Sequence, residues 1–214
     1  MRLSELLGVL SFGADLGMGQ PMEHMLRQCL IALGLAERIG LGDEDREALF
    51  FASLVAWVGC HVDAYEQANW FGDEMALKSD FCGVDFANST SGPLFMLRHL
   101  GRGMPLRQRA GLVPSFVGEA RRAAESMLEN HWRASDDLMA RIGLDRLVRD
   151  TVEQSFERWD GRGVPRGLRG RKILVTSRLV NLADVVDRPG LPRDTGWRAR
   201  TSTPRWRPWR TSSM

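Results

Sequence analysis

Between residues 20 and 39 the apolar positions recur every three or four residues. Met22, Met25, Leu26, Cys29, Leu30, Leu33 and Ala36 form one helical stripe. The spacing predicts a helix over Gln20 to Ile39, with Pro21 in its first turn and Gly40 at its stop. A second helix is predicted from Asp43 to Val58, where Asp43, Glu44 and Asp45 oppose the positive end of the helix dipole. Pro93 to Leu100 reads as a short helix. Pro114 to Ile142 reads as a long one ended by Gly143. Asp145 to Trp159 is the next, capped by Asp145, and Ile173 to Asp187 is the last. Asn69 to Gly92 is mixed and reads as loops with short helices. Gly101 to Pro114 holds three Gly and two Pro and reads as a linker; Asp160 to Gly170 holds four Gly and one Pro and reads as a turn-rich loop. No stretch alternates with period two, and no internal repeat is present. The pattern is all-α.

Composition narrows the class. Hydrophobic residues make up 43% and charged residues 26% of 214, enough for one sizeable core in an ordinary globular chain. The longest apolar stretch, Ala48 to Gly59, is too short to span a membrane, so no membrane association is expected. Glu5 and Asp15 interrupt the first apolar run, which argues against a signal peptide. Three cysteines, Cys29, Cys60 and Cys82, fit a reducing compartment, and a cytoplasmic location is expected.

Charge divides the chain. Residues 188–214 hold seven Arg and one Asp, and residues 1–187 carry a net −4. The tail also takes four of the nine Pro and three of the seven Trp, and shows no helical or strand period. We expect a domain over 1–187 and a basic Arg/Trp/Pro-rich tail over 188–214. Two readings of the tail stand. It is disordered and contacts polyanions, or it reflects a GC-rich gene read in a shifted frame or a truncated chain. The second is preferred.

One segment carries more information than the rest. Glu157-Arg158-Trp159-Asp160-Gly161 is followed by a Gly-Val-Pro turn at 163–165, Gly167-Leu168-Arg169-Gly170, and a helix with Ala183-Asp184. This order resembles the C-terminal signature of HD-GYP domains, the cyclic-di-GMP phosphodiesterase branch of the HD metal-dependent phosphohydrolases. Gln20-Pro21-Met22-Glu23-His24 resembles that family's first metal helix, in which a Glu and a His four residues apart share one face. Ala52 to Cys60 resembles the apolar helix that ends in the His-Asp dyad, and His131 matches the middle His. The resemblance covers about residues 1–187 and implies an HD-type helical bundle.

The departures set the functional expectation. Where the family has metal ligands, this chain has Gln20 for the Glu, Ala56 and Trp57 for the His-Asp dyad, and Ser155 and Phe156 for the paired His. Val164 replaces the Tyr of Gly-Tyr-Pro and Cys60 the Lys. His24, His131 and Asp184 remain. Ala, Trp and Phe offer no lone pair to a hard cation. The resemblance therefore implies a degenerate site without a resident cofactor, in a non-catalytic regulatory or interaction module of a signalling or transcriptional regulator. The alternative is a reduced site in which His24, His131 and Asp184 hold one divalent transition metal (iron, manganese or zinc), with Arg158 or Arg178 positioning phosphate in a phosphodiesterase. A protein partner or self-association is expected. A nucleotide second messenger fits the family. Nucleic acid would be met only through the tail or through a helix-turn-helix module such as this subgroup often carries. Cys60-His61-Val62-Asp63 reads as a solvated loop rather than a displaced dyad, and no P-loop, dinucleotide or Gly-x-Ser-x-Gly motif is present.

Overall fold

The computed structural model describes residues 2–62, 64–81, 84 and 91–187. The tail, Asp63 and Cys82 lie outside them. Nine α-helices follow in chain order among the described residues: α1 Leu3–Gly17, α2 His24–Arg38, α3 Asp43–Val55, α4 Ala64–Phe71, α5 Glu74–Phe81, α6 Ser91–His99, α7 Leu106–Arg141, α8 Arg146–Glu153 and α9 Val175–Asp187. No strand occurs among these residues; one isolated antiparallel bridge joins Asp160 and Arg169. The all-α expectation holds.

Helix α2 lies chiefly against α9 and α3, and α3 also packs on α8, α1 and α9. The contact surfaces are built from small side chains. Ala32, Ala36, Ala52 and Ala183 are fully buried, which lets these backbones approach closely while Leu49, Leu54, Val148 and Val180 fill the space between. Each fully buried Leu in this core contributes about 2 kcal/mol. A second apolar cluster, Phe71, Leu77, Phe95, Leu100 and Phe116, sits beneath α4 to α7.

Several boundaries differ from expectation. The linker read at Gly101 to Pro114 is helical from Leu106, and Pro114 lies inside α7. Proline removes only one ladder donor, and the long amphipathic helix runs through it. The helix expected at Gln20 starts at His24, because Glu23 takes a left-handed conformation (φ 70°). The second helix stops at Val55, and Val58–His61 forms a 3-10 turn. The Asp145 cap is real: its carboxylate accepts the Val148 N–H at 2.8 Å. That helix ends at Glu153, and a 3-10 turn covers Gln154–Phe156. Helix α1 escaped the sequence pattern because its buried stripe is Leu7, Ser11, Ala14 and Asp15, half of it polar.

Candidate functional site

Two groups of side chains flank a recess formed by α1, α2 and Trp57. The first is ionic. His24 opens α2, and its Nδ1–H donates to Asp187 Oδ2 at 2.7 Å. Its Nε2 lies 3.6 Å from Asp184 Oδ1 on the same face of α9. Arg27, one turn along α2, donates from Nε and Nη2 to the two Asp187 oxygens at 3.0 and 3.1 Å. Burial alone would depress the His24 pKa. The hydrogen bonds to Asp184 and Asp187 outweigh it and raise the pKa above the ordinary imidazole value. The sequence placed His24 and Asp184 together; Arg27 and Asp187 complete the cluster.

The second group is aromatic. His131 on α7 is buried, and its Nδ1 lies 3.3 Å from Cys60 Sγ. Burial pushes its pKa down to about 4, so the ring is neutral, and its Nε2 is enclosed with no hydrogen-bond partner. The Phe156 ring meets His131 edge-on at 5.2 Å, and Trp57 meets Phe156 edge-on at 5.7 Å. Trp57 Nε1–H donates to Gln28 Oε1 (3.1 Å), and Gln28 Nε2 donates to the Val180 carbonyl (3.1 Å). The 3-10 turn that carries Cys60 presses on α7. A Cβ on Gly59 would come within 2.2 Å of the His131 carbonyl oxygen, so only glycine permits the contact.

Between the groups lies a recess lined by Ala14, Asp15, Met18, Gln20, His24, Met25 and Trp57, too tight for a water molecule. Asp15 was not expected in it. Its Oδ1 accepts the Met25 N–H (3.2 Å), its Oδ2 is buried without a partner, and burial raises its pKa. Only the combination of a buried position and an apolar helix reveals it, and that is invisible in one sequence. Gln20 Nε2 turns to the Met18 carbonyl at 3.4 Å. Ala56 is buried, and Ser155 donates back to the Val152 carbonyl (2.8 Å). His61 is not in a solvated loop: its ring packs against Gly17 of α1, with Nε2 buried.

The donors fit a resident metal cluster poorly. Among the described residues no group of three His, Cys, Asp or Glu side chains could hold an ion. His24 and Asp184 are neighbours; His131 is directed to Cys60 and covered by Phe156. Arg158 sits elsewhere, on the loop after α8, and Arg178 lies in the first turn of α9 against that loop. Arg158 pairs with Asp160 at 2.6 Å, and the Arg178 guanidinium lies over the Trp159 ring at 5.6 Å. That loop is anchored from inside by Glu157, whose carboxylate accepts the N–H groups of Arg166 (2.7 Å) and Leu168 (2.9 Å). Arg166 in turn grips Glu153.

Residues 117–193 match the family described as HD domain. Over 187 residues the chain is 25% identical to 3'3'-cGAMP-specific phosphodiesterase 3 of Vibrio cholerae serotype O1, covering 86% of this chain and 40% of that protein. The chain thus spans about two fifths of that relative's length. The crystal structure of a cyclic GMP-AMP-specific phosphodiesterase of V. cholerae (V-cGAP3) superposes with a TM-score of 0.59 at 23% identity, over 86% of this chain and 40% of that one. No helix among the described residues is long and apolar enough to cross a membrane. Residues 117–193 are thus similar to an HD domain, and the chain as a whole shares the helical fold of that phosphodiesterase structure.

Proposed function

We propose that this HD domain is a non-catalytic regulatory or interaction module, descended from a cyclic-dinucleotide phosphodiesterase of the HD-GYP type. One observation carries the reading. The third donor, His131, is turned to Cys60 behind the Phe156 and Trp57 rings, so it does not share a point with His24 and Asp184. Trp57 and Phe156 occupy positions where the family resemblance calls for a ligand, and neither can donate to a cation. Asp187 is held by Arg27 and His24, which supports an ion pair as the role of this corner. The module acts on a protein partner or a second copy of itself. Cys29 and Cys60, neither in a disulfide, suit the cytoplasm.

A second reading has its own support. The relative is a phosphodiesterase, and His24 holds Nδ1 on a carboxylate while Nε2 faces Asp184, the orientation of a metal-bound imidazole. It makes the chain a metal-dependent phosphohydrolase of cyclic dinucleotides with a two-donor remnant site. Metal analysis after purification without chelator, then turnover of 3'3'-cGAMP and cyclic-di-GMP with added Mn²⁺ or Fe²⁺, separates the two. Sub-stoichiometric metal and no turnover is the expected result. Turnover that disappears in His24→Ala would overturn the first reading.

A further inference from the structure

The strongest unclaimed feature is the loop after α8. Between residues 158 and 172 it holds six cations (Arg158, Arg162, Arg166, Arg169, Arg171 and Lys172) and one carboxylate, Asp160. Residues 1–187 as a whole are net negative, so this is a concentrated positive surface on an acidic body. Arg158 and Arg166 are engaged with Asp160 and Glu153. Arg162, Arg169, Arg171 and Lys172 are exposed and make no salt bridge among the described residues. Trp159 projects among them with 60% of its surface open, and Arg178 lies against its ring.

The surface is built, not frayed. Besides the two bonds to Glu157, the Gly170 N–H donates to the Trp159 carbonyl (3.1 Å), and Gln154 Oε1 accepts the Leu174 N–H (2.9 Å). A Cβ on Gly163 would come within 2.2 Å of the Arg158 nitrogen, so the turn closes tightly on the segment before it. The Asp160–Arg169 bridge sets the second half of the loop beside Trp159. A preorganised aromatic ring among uncommitted cations gives a polyanion little ordering to do on arrival.

We propose that the loop from Arg158 to Lys172, with Trp159 at its centre, binds single-stranded nucleic acid. The cations supply phosphate contacts, and the indole supplies a stacking platform for one unpaired base. A duplex hides its base faces and would use only the charges. An anionic membrane would favour exposed aliphatic residues beside the Trp, and within the loop from Arg158 to Lys172 Trp159 is the exposed large hydrophobic residue. The proposal is independent of whether the HD site turns over.

The test uses the full chain, whose basic tail contributes equally to every variant. Fluorescence anisotropy follows a labelled oligothymidine of about twelve nucleotides, an abasic strand of the same length and a duplex at about 20 mM salt. The triple variant Arg169→Glu, Arg171→Glu, Lys172→Glu is expected to weaken strand binding tenfold or more and to lower the salt slope by about two. Trp159→Ala is expected to weaken the oligothymidine about fivefold and leave the abasic strand unchanged. Circular dichroism melts confirm that both variants fold. Binding indifferent to both variants would assign it to the tail and overturn the proposal. So would an equal Trp159→Ala loss on the abasic strand, no wild-type binding, or loop dependence seen only with phosphatidylserine vesicles.

Discussion

His24 and Asp187, 163 residues apart in the chain, meet at 2.7 Å and tie the first turn of α2 to the last turn of α9. The bond closes the helical bundle on the face of α9 that also carries Asp184. It also makes the pH response readable, because the His24 pKa is raised by its carboxylate partners while the His131 pKa is lowered by burial.

The His24 pKa is raised in the fold, so its stabilising contribution is complete below the unfolded value of 6.5. It is lost as pH rises through the higher folded value. The melting temperature is expected to fall on the alkaline side of pH 6.5. His24→Gln should be less stable at pH 6.5 and flatter from there upward. Differential scanning calorimetry across pH 6 to 9 checks this.

His131 works in the opposite window. Its folded pKa near 4 lies below the unfolded 6.5, so the unfolded chain takes up the proton first as pH falls. Stability should drop by about 3 kcal/mol between pH 6.5 and 4. His131→Phe should remove that slope, and urea denaturation at pH 7 and pH 5 measures it.

Trp57→Phe keeps a ring against Phe156 but deletes the donor to Gln28, whose Oε1 is then buried unsatisfied. The cost expected is about 2 kcal/mol at neutral pH. The double variant Trp57→Phe, Gln28→Leu should recover part of it, because both polar partners are gone. Denaturant midpoints for the two variants decide the matter.

Glu157→Ala orphans the Arg166 and Leu168 N–H groups, which hold the basic loop closed. The loop should open locally before the bundle does. Limited trypsin digestion is expected to cut after Arg162, Arg166 or Arg169 in the variant and to leave these loop bonds uncut in the wild type at matched times. Glu157→Gln, retaining one acceptor, should fall between.

Glu23→Gly tests the entry to α2. The left-handed Glu23 conformation costs a residue with a Cβ about 1 kcal/mol, which glycine avoids. The variant is expected to melt higher, as thermal denaturation followed by circular dichroism would measure. A lower midpoint would refute the strain at Glu23.

Much of this protein was legible from residue order alone. Three- and four-residue apolar spacing is a local consequence of helix geometry, so α2, α3, α6 and α9 could be read within a few residues, and α8 at its capped start but not at its end. The Trp159-Asp160-Gly161 run and Ala183-Asp184 carried the HD resemblance because turns and ligand positions are written in short segments. Other features needed the third dimension. Asp15 and Ser11 make α1 look unhelical until neighbouring helices bury them. Pro114 looked like a boundary because propensity is a weak term that packing overrides. Whether His24, His131 and Asp184 share one point depends on how α2, α7 and α9 cross. Spacing along a chain says nothing about directions between helices, so that relation emerged only when the helices were packed.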